Sequence, residues 1–113
     1  MAQIKSFTSL EQAKVLLKIL PHQSADMSFN VEKDYEVILH PYMTSNWIGV
    51  PCWSLSALLA VLPFVDFTMP QLIGTPKTLY RCMYDDNLKS HAHDNPVDAC
   101  VEMIIKLNEL NLL

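Results

Sequence analysis

Glycine is nearly missing from this chain: Gly49 and Gly74 are the only two in 113 residues. Loops that cradle phosphate need several glycines, so that backbone amides can approach the ligand, and nucleotide binding of that kind has no support here. Cysteine is also sparse. Cys52, Cys82 and Cys100 are odd in number, widely spaced and without a Cys-x-x-Cys pair, which reads as buried free thiols in a reducing compartment. Only 18% of residues are charged, and the net charge is -4. The eight basic residues, Lys5, Lys14, Lys18, Lys33, Lys77, Arg81, Lys89 and Lys106, never form a run. Nucleic-acid binders concentrate positive charge to displace counterions from phosphates, so this dispersal argues against nucleic acid as a partner. Asp26, Asp34 and Asp66 have no second carboxylate at a diagnostic spacing, and acid–base catalysis finds no motif.

Long apolar runs are missing as well. Trp47 to Val65 carries no charge, but Gly49, Pro51 and Pro63 interrupt it. The helical part, Leu55 to Leu62, would span about 12 Å of a ~30 Å hydrocarbon core. No membrane partner is expected. The opening Met1-Ala2-Gln3-Ile4-Lys5 has no apolar signal segment, and a cytoplasmic location is expected.

What the chain does have is apolar area, since half of its residues are hydrophobic. That is enough for one core, and residues 1–113 are read as a single domain. The surplus predicts apolar surface left exposed or shared, with a protein partner or a second copy in a homodimer.

The clearest element runs from Asp94 to Leu107. Asn95 is a good cap, Pro96 suits the first helical position, and Asp98 is placed to reach back toward the cap amide. Val97, Cys100, Val101, Ile104 and Leu107 form an apolar side, opposite a stripe of Asp98, Glu102, Lys106 and Glu109. A first helix is predicted from Ser9 to Leu20, capped by Thr8 with Glu11 and stopped by Pro21. A second follows Ser54, with Trp53 and Leu58 as a hydrophobic staple, and should be covered on most sides.

Alternation over Met27–Val31 and Tyr35–Leu39 predicts a hairpin turning at Lys33-Asp34. Val65–Met69, Thr78–Tyr84 and Leu88–His93 read as further strands, with turns at Gly74-Thr75-Pro76-Lys77 and Asp85-Asp86-Asn87. The expected fold is α+β: one antiparallel sheet of about four to five strands, packed mainly on one face by three helices.

Chemistry has few candidates. His91 and His93 would share one face of a strand, a spacing used by metal sites, and Asp94 is placed to orient one imidazole. A third ligand would have to come from His22, His40 or Cys100. The plainer reading is a polar turn entering a capped helix. Cys52, just before a helix cap, reads either as an activated nucleophile or as a buried structural thiol, with Cys100 in the core. Asp85-Asp86-Asn87 lacks the glycine and terminal glutamate of a calcium loop and reads as a solvated turn. Trp47, in a loop, is the candidate for an interaction surface. No cofactor is implied.

Ser9-Leu10-Glu11-Gln12-Ala13-Lys14, Ile19-Leu20-Pro21, Ser24-Ala25-Asp26-Met27, Pro51-Cys52-Trp53-Ser54-Leu55-Ser56-Ala57-Leu58-Leu59 with Leu62-Pro63, and Asp94-Asn95-Pro96-Val97-Asp98-Ala99-Cys100 follow in order. With these the chain resembles a family of small uncharacterised proteins of Bacteroides-group gut bacteria and their phages or prophages. The resemblance spans nearly the whole chain and is weakest from Val65 to His93. It implies a cytoplasmic bacterial or phage setting and carries over no catalytic residue. The expected function is a non-enzymatic accessory or protein-interaction module. The alternatives are a metal-binding protein or metal-dependent hydrolase using His91 and His93, and a nucleic-acid-associated protein with a locally gathered basic face.

Overall fold

Pro96–Glu109 forms the longest helix of the computed structural model, which describes residues 5–30, 36–39, 49–65, 68–74 and 79–113. Its start follows the local rules. The Asn95 side chain accepts the Asp98 amide at 2.8 Å, and Pro96 occupies the first turn. The expected apolar side is buried, together with Ala99 and Met103.

In chain order the elements are α1 (Leu10–Leu16), a 3-10 turn (His22–Ser24), β1 (Met27–Asn30), β2 (Glu36–Leu39), β3 (Val50–Cys52), α2 (Leu55–Val61), β4 (Gln71–Gly74), β5 (Tyr80–Asp85), β6 (Leu88–Lys89) and α3 (Pro96–Glu109). The class is α+β with three helices. The single sheet of four to five strands is corrected to two small antiparallel sheets, ordered β2-β1-β3 and β4-β5-β6. The reason is pairing capacity. Both edges of β1 are taken by β2 and β3, both edges of β5 by β4 and β6, and α2 separates the two groups along the chain. α3 packs on β5 and α2, and α1 packs on β3 and, less extensively, on α3.

Several boundaries move. α1 is capped by Ser9 with Gln12, one residue beyond Thr8 and Glu11. Thr8 is fully buried and its hydroxyl accepts the Trp53 amide at 3.1 Å, so it serves the core instead. The helix ends at Leu16 rather than Leu20, because the Lys18 and Ile19 amides turn to carbonyls three residues back. Val65–Met69 shrinks to a bridge between Val65 and Thr68, and the strand that pairs with β5 is Gln71–Gly74. The expected strand Leu88–His93 is cut to Leu88–Lys89; beyond it Ser90 bonds Cys82 and His93 bridges to Tyr80.

β1 and β2 pair antiparallel, as a hairpin requires, with Met27 opposite Leu39 and Phe29 opposite Val37. Its turn at Lys33-Asp34, and the turn at Thr75-Pro76-Lys77, lie outside the described residues. Gly49 leads into β3 at φ +143°, where a Cβ would meet the Phe29 carbonyl oxygen at 2.5 Å. Trp53 and Leu58 are both fully buried, in keeping with the staple. α2 is less covered than its composition suggested: Ala57 and Leu58 are buried, while Leu59 is exposed. No helix among the described residues is long and apolar enough to cross a membrane.

Candidate functional site

The segment entering α3 carries both candidate histidines, and α3 itself supplies what they bind. Glu102 sits two turns into the helix on its polar stripe, facing back over that segment. Its carboxylate lies 3.1 Å from His91 Nδ1 and 2.7 Å from His93 Nε2, and accepts the His91 backbone amide at 2.9 Å. Lys106, one turn on, stands 3.5 Å from the same carboxylate and donates to the Lys89 carbonyl at 2.7 Å. Burial raises the Glu102 carboxyl pKa. The bonds from His93 and from the backbone and ring of His91 outweigh that and bring it down to about 2. The carboxylate therefore stays ionised.

This arrangement corrects the strand picture of His91-Ala92-His93. The two imidazoles converge on Glu102, and Asp94 orients neither of them. Asp94 accepts instead from the Asn95 side-chain amide at 3.0 Å. Of the other residues considered as ligands, Cys100 is fully buried, His22 is exposed on the 3-10 turn, and His40 lies outside the described residues. Among the described residues no group of three or more His, Cys, Asp or Glu is placed to hold a metal ion. Trp47 also lies outside the described residues.

A second polar cluster joins the starts of α1 and α3. Asp98 does not reach its cap amide as expected. One carboxylate oxygen takes Lys5 Nζ and Gln12 Nε2, each at 2.7 Å, and the other takes the Asn95 side-chain amide at 2.8 Å. Burial raises the Asp98 pKa, but these hydrogen bonds and the Lys5 charge leave it lowered. A third cluster surrounds the start of α2. Asp26 accepts the Ser54 amide at 2.9 Å and the Ser54 hydroxyl, while that hydroxyl caps the Ala57 amide. Trp53 Nε1 donates to the Ser24 hydroxyl at 2.9 Å. Each cluster fastens one segment to another.

Cys52 belongs to this last group as a structural thiol. It is fully buried, bonded to Thr8 at 3.6 Å, and burial pushes its pKa up to about 11. Asp85 is a turn residue, its carboxylate accepting the amides of Asn87 and Leu88 at 2.7 and 2.8 Å.

The remaining feature is apolar. Ile19, Leu20, Pro21, Val61, Asn108 and Leu113 line an open cavity of about 400 Å³ between the C-terminal ends of the three helices. Leu110, Leu112 and Leu113 are 54%, 42% and 42% exposed in the segment that follows α3. The sequence signalled this surface only as surplus hydrophobicity. The residues it left unassigned, Glu102 above all, are recoverable from the polar stripe of α3 once the chain before the helix is known to fold back along it. No family model, no curated protein and no solved structure matches the chain.

Proposed function

We propose that this chain is a non-enzymatic accessory or protein-interaction module of bacterial or mobile-element origin, working in the cytoplasm and self-associating as a homodimer. The observation that carries this reading is the apolar cavity at the helix ends, with Leu110, Leu112 and Leu113 exposed in the segment that follows α3. Apolar surface gathered around a concavity costs free energy in water and is relieved by contact with a second apolar surface. A second copy offers the same patch, and a two-fold contact is self-complementary. The family resemblance supports the setting, and Glu102, Asp98 and Asp26 each hold one segment to another.

Light scattering over a range of protein concentrations tests it. The expected result is a species of twice 12.9 kDa that returns to 12.9 kDa when Leu110 and Leu113 are both replaced by Asp. Both side chains are exposed, so the variant should keep its fold. A wild-type chain that stays at 12.9 kDa at every concentration would overturn the self-association reading.

A further inference from the structure

Arg81 is the only arginine of the chain, and it stands on the side of β5 that the core does not use. Cys82 and Tyr84 of that strand are buried in the core, so alternation places Arg81 and Met83 on the opposite face. Cross-strand partners share a face. Ile73 stands opposite Arg81, and Gln71 and Lys89 stand opposite Met83. Arg81, Met83 and Lys89 are half-buried, while Gln71 and Ile73 of β4 are exposed.

The guanidinium on this face lacks what a partly buried charge needs. Arg81 Nε is shut off from solvent and has no hydrogen-bond partner. Among the described residues, no ion pair includes Arg81 or Lys89. Asp85, the nearest carboxylate along β5, is turned to the amides of Asn87 and Leu88. An arginine stays charged at any pH the fold survives, and a charge drawn partly out of water costs free energy until an opposite charge meets it. Lys89 is the diagonal neighbour of Arg81, about 7–8 Å away across the strands, so both long side chains can reach one anion.

We propose that this face binds a small organic anion, its one carboxylate or phosphate group held by Arg81 and Lys89 and its apolar body lying along Ile73 and Met83. The two Nη amines of a guanidinium form a planar fork that matches two oxygens of either group, and a lysine adds a point charge. The apolar part follows from what shares the face with the cations, Met83 beside both of them and Ile73 opposite Arg81. Two cations on a chain of net charge -4 are too small a footprint for a polyanion, which favours a ligand with a single anionic group. The site goes beyond the interaction reading and uses none of its residues, which lie at the helix ends.

The test titrates the full chain with benzoate, phenyl phosphate and inorganic phosphate and follows it by NMR. A single arginine gives a single side-chain Nε–H signal, which reports on the site directly. The expected result is a saturable shift of that signal, and of the Ile73, Met83 and Lys89 backbone amides, at millimolar benzoate or phenyl phosphate. Whichever of the two binds more tightly identifies the anionic group. Inorganic phosphate, without an apolar body, should bind several-fold more weakly. Arg81→Lys keeps the charge but loses the fork, and should weaken binding about tenfold, the worth of one charge-assisted hydrogen bond. Lys14→Gln, on the exposed side of α1, should leave the affinity unchanged. The absence of any shift, or a linear drift that sodium chloride reproduces, would overturn the proposal. So would inorganic phosphate binding as tightly as phenyl phosphate, or an affinity that Arg81→Lys does not alter. The wild-type titrations decide the matter even if Arg81→Lys does not fold.

Discussion

Polar side chains reaching across long stretches of sequence tie the sheet of β1, β2 and β3 to its surroundings, whereas the sheet of β4, β5 and β6 is held mainly through one strand. Around the first sheet, Thr8 receives the Trp53 amide, Ser24 receives its indole, and Asp26 grips the cap of α2. In the second, β4 is mostly exposed, and Cys82 and Tyr84 of β5 are the buried residues. Tyr84 adds one bond, from its hydroxyl to the Pro63 carbonyl at 2.6 Å. The first region thus depends on a few bonds of fixed geometry, and the second on alternate residues of one strand sinking into the core. Damage should stay local in the second and spread in the first.

The largest expected effect comes from Trp53→Ala. It removes a fully buried indole and the bond to Ser24, and should cost about 3–5 kcal/mol in urea denaturation. A loss below ~1 kcal/mol would mean that the first sheet does not depend on this seam. Asp26→Ala leaves the Ser54 amide and hydroxyl without their acceptor and should cost about 1–3 kcal/mol. Were it as mild as a surface change, the contrast between the regions would lose its polar half.

Acid comes next. The Glu102 carboxyl titrates at about 2 in the fold against an ordinary 4.5, so its stabilisation is present above the ordinary value and is lost as pH falls from about 4.5 toward 2. Solvent screening limits this to about 1 kcal/mol. Denaturation midpoints measured across that window should fall less steeply in Glu102→Gln than in the wild type. An identical slope would show that the carboxylate contributes nothing to acid stability. The smallest effect belongs to the second sheet: Ile73→Thr, on exposed β4, should change stability by no more than about 0.5 kcal/mol. A larger loss would place β4 among the elements the core requires.

Legibility in the sequence followed the range of the interaction. The start and the apolar side of α3 were readable, because Asn95, Pro96 and the apolar spacing act within a few turns, whereas the distant partners of Asp98 were not. The start of α1 was misplaced by one residue because Thr8 and Ser9 are equally good caps. Only the distant Trp53 amide decides that Thr8 is used elsewhere. The hairpin of β1 and β2 was readable from alternation, while the division into two sheets was not, since it depends on which strand edges remain open after folding. His91 and His93 were read as candidates for a shared metal, and the structure gives them a shared carboxylate. That partner is Glu102, nine residues beyond His93, and strand spacing has no means of pointing to a helix.

Gly49 carries a consequence for how this chain tolerates change. The space a methyl group would need there is already occupied by the main-chain oxygen of Phe29, and the torsion at Gly49 is one that other residues rarely adopt. A saturation library at position 49 should therefore return glycine almost alone, because any larger residue would push apart the two strands that meet there. One of the chain's two glycines is thus a spacer of zero thickness.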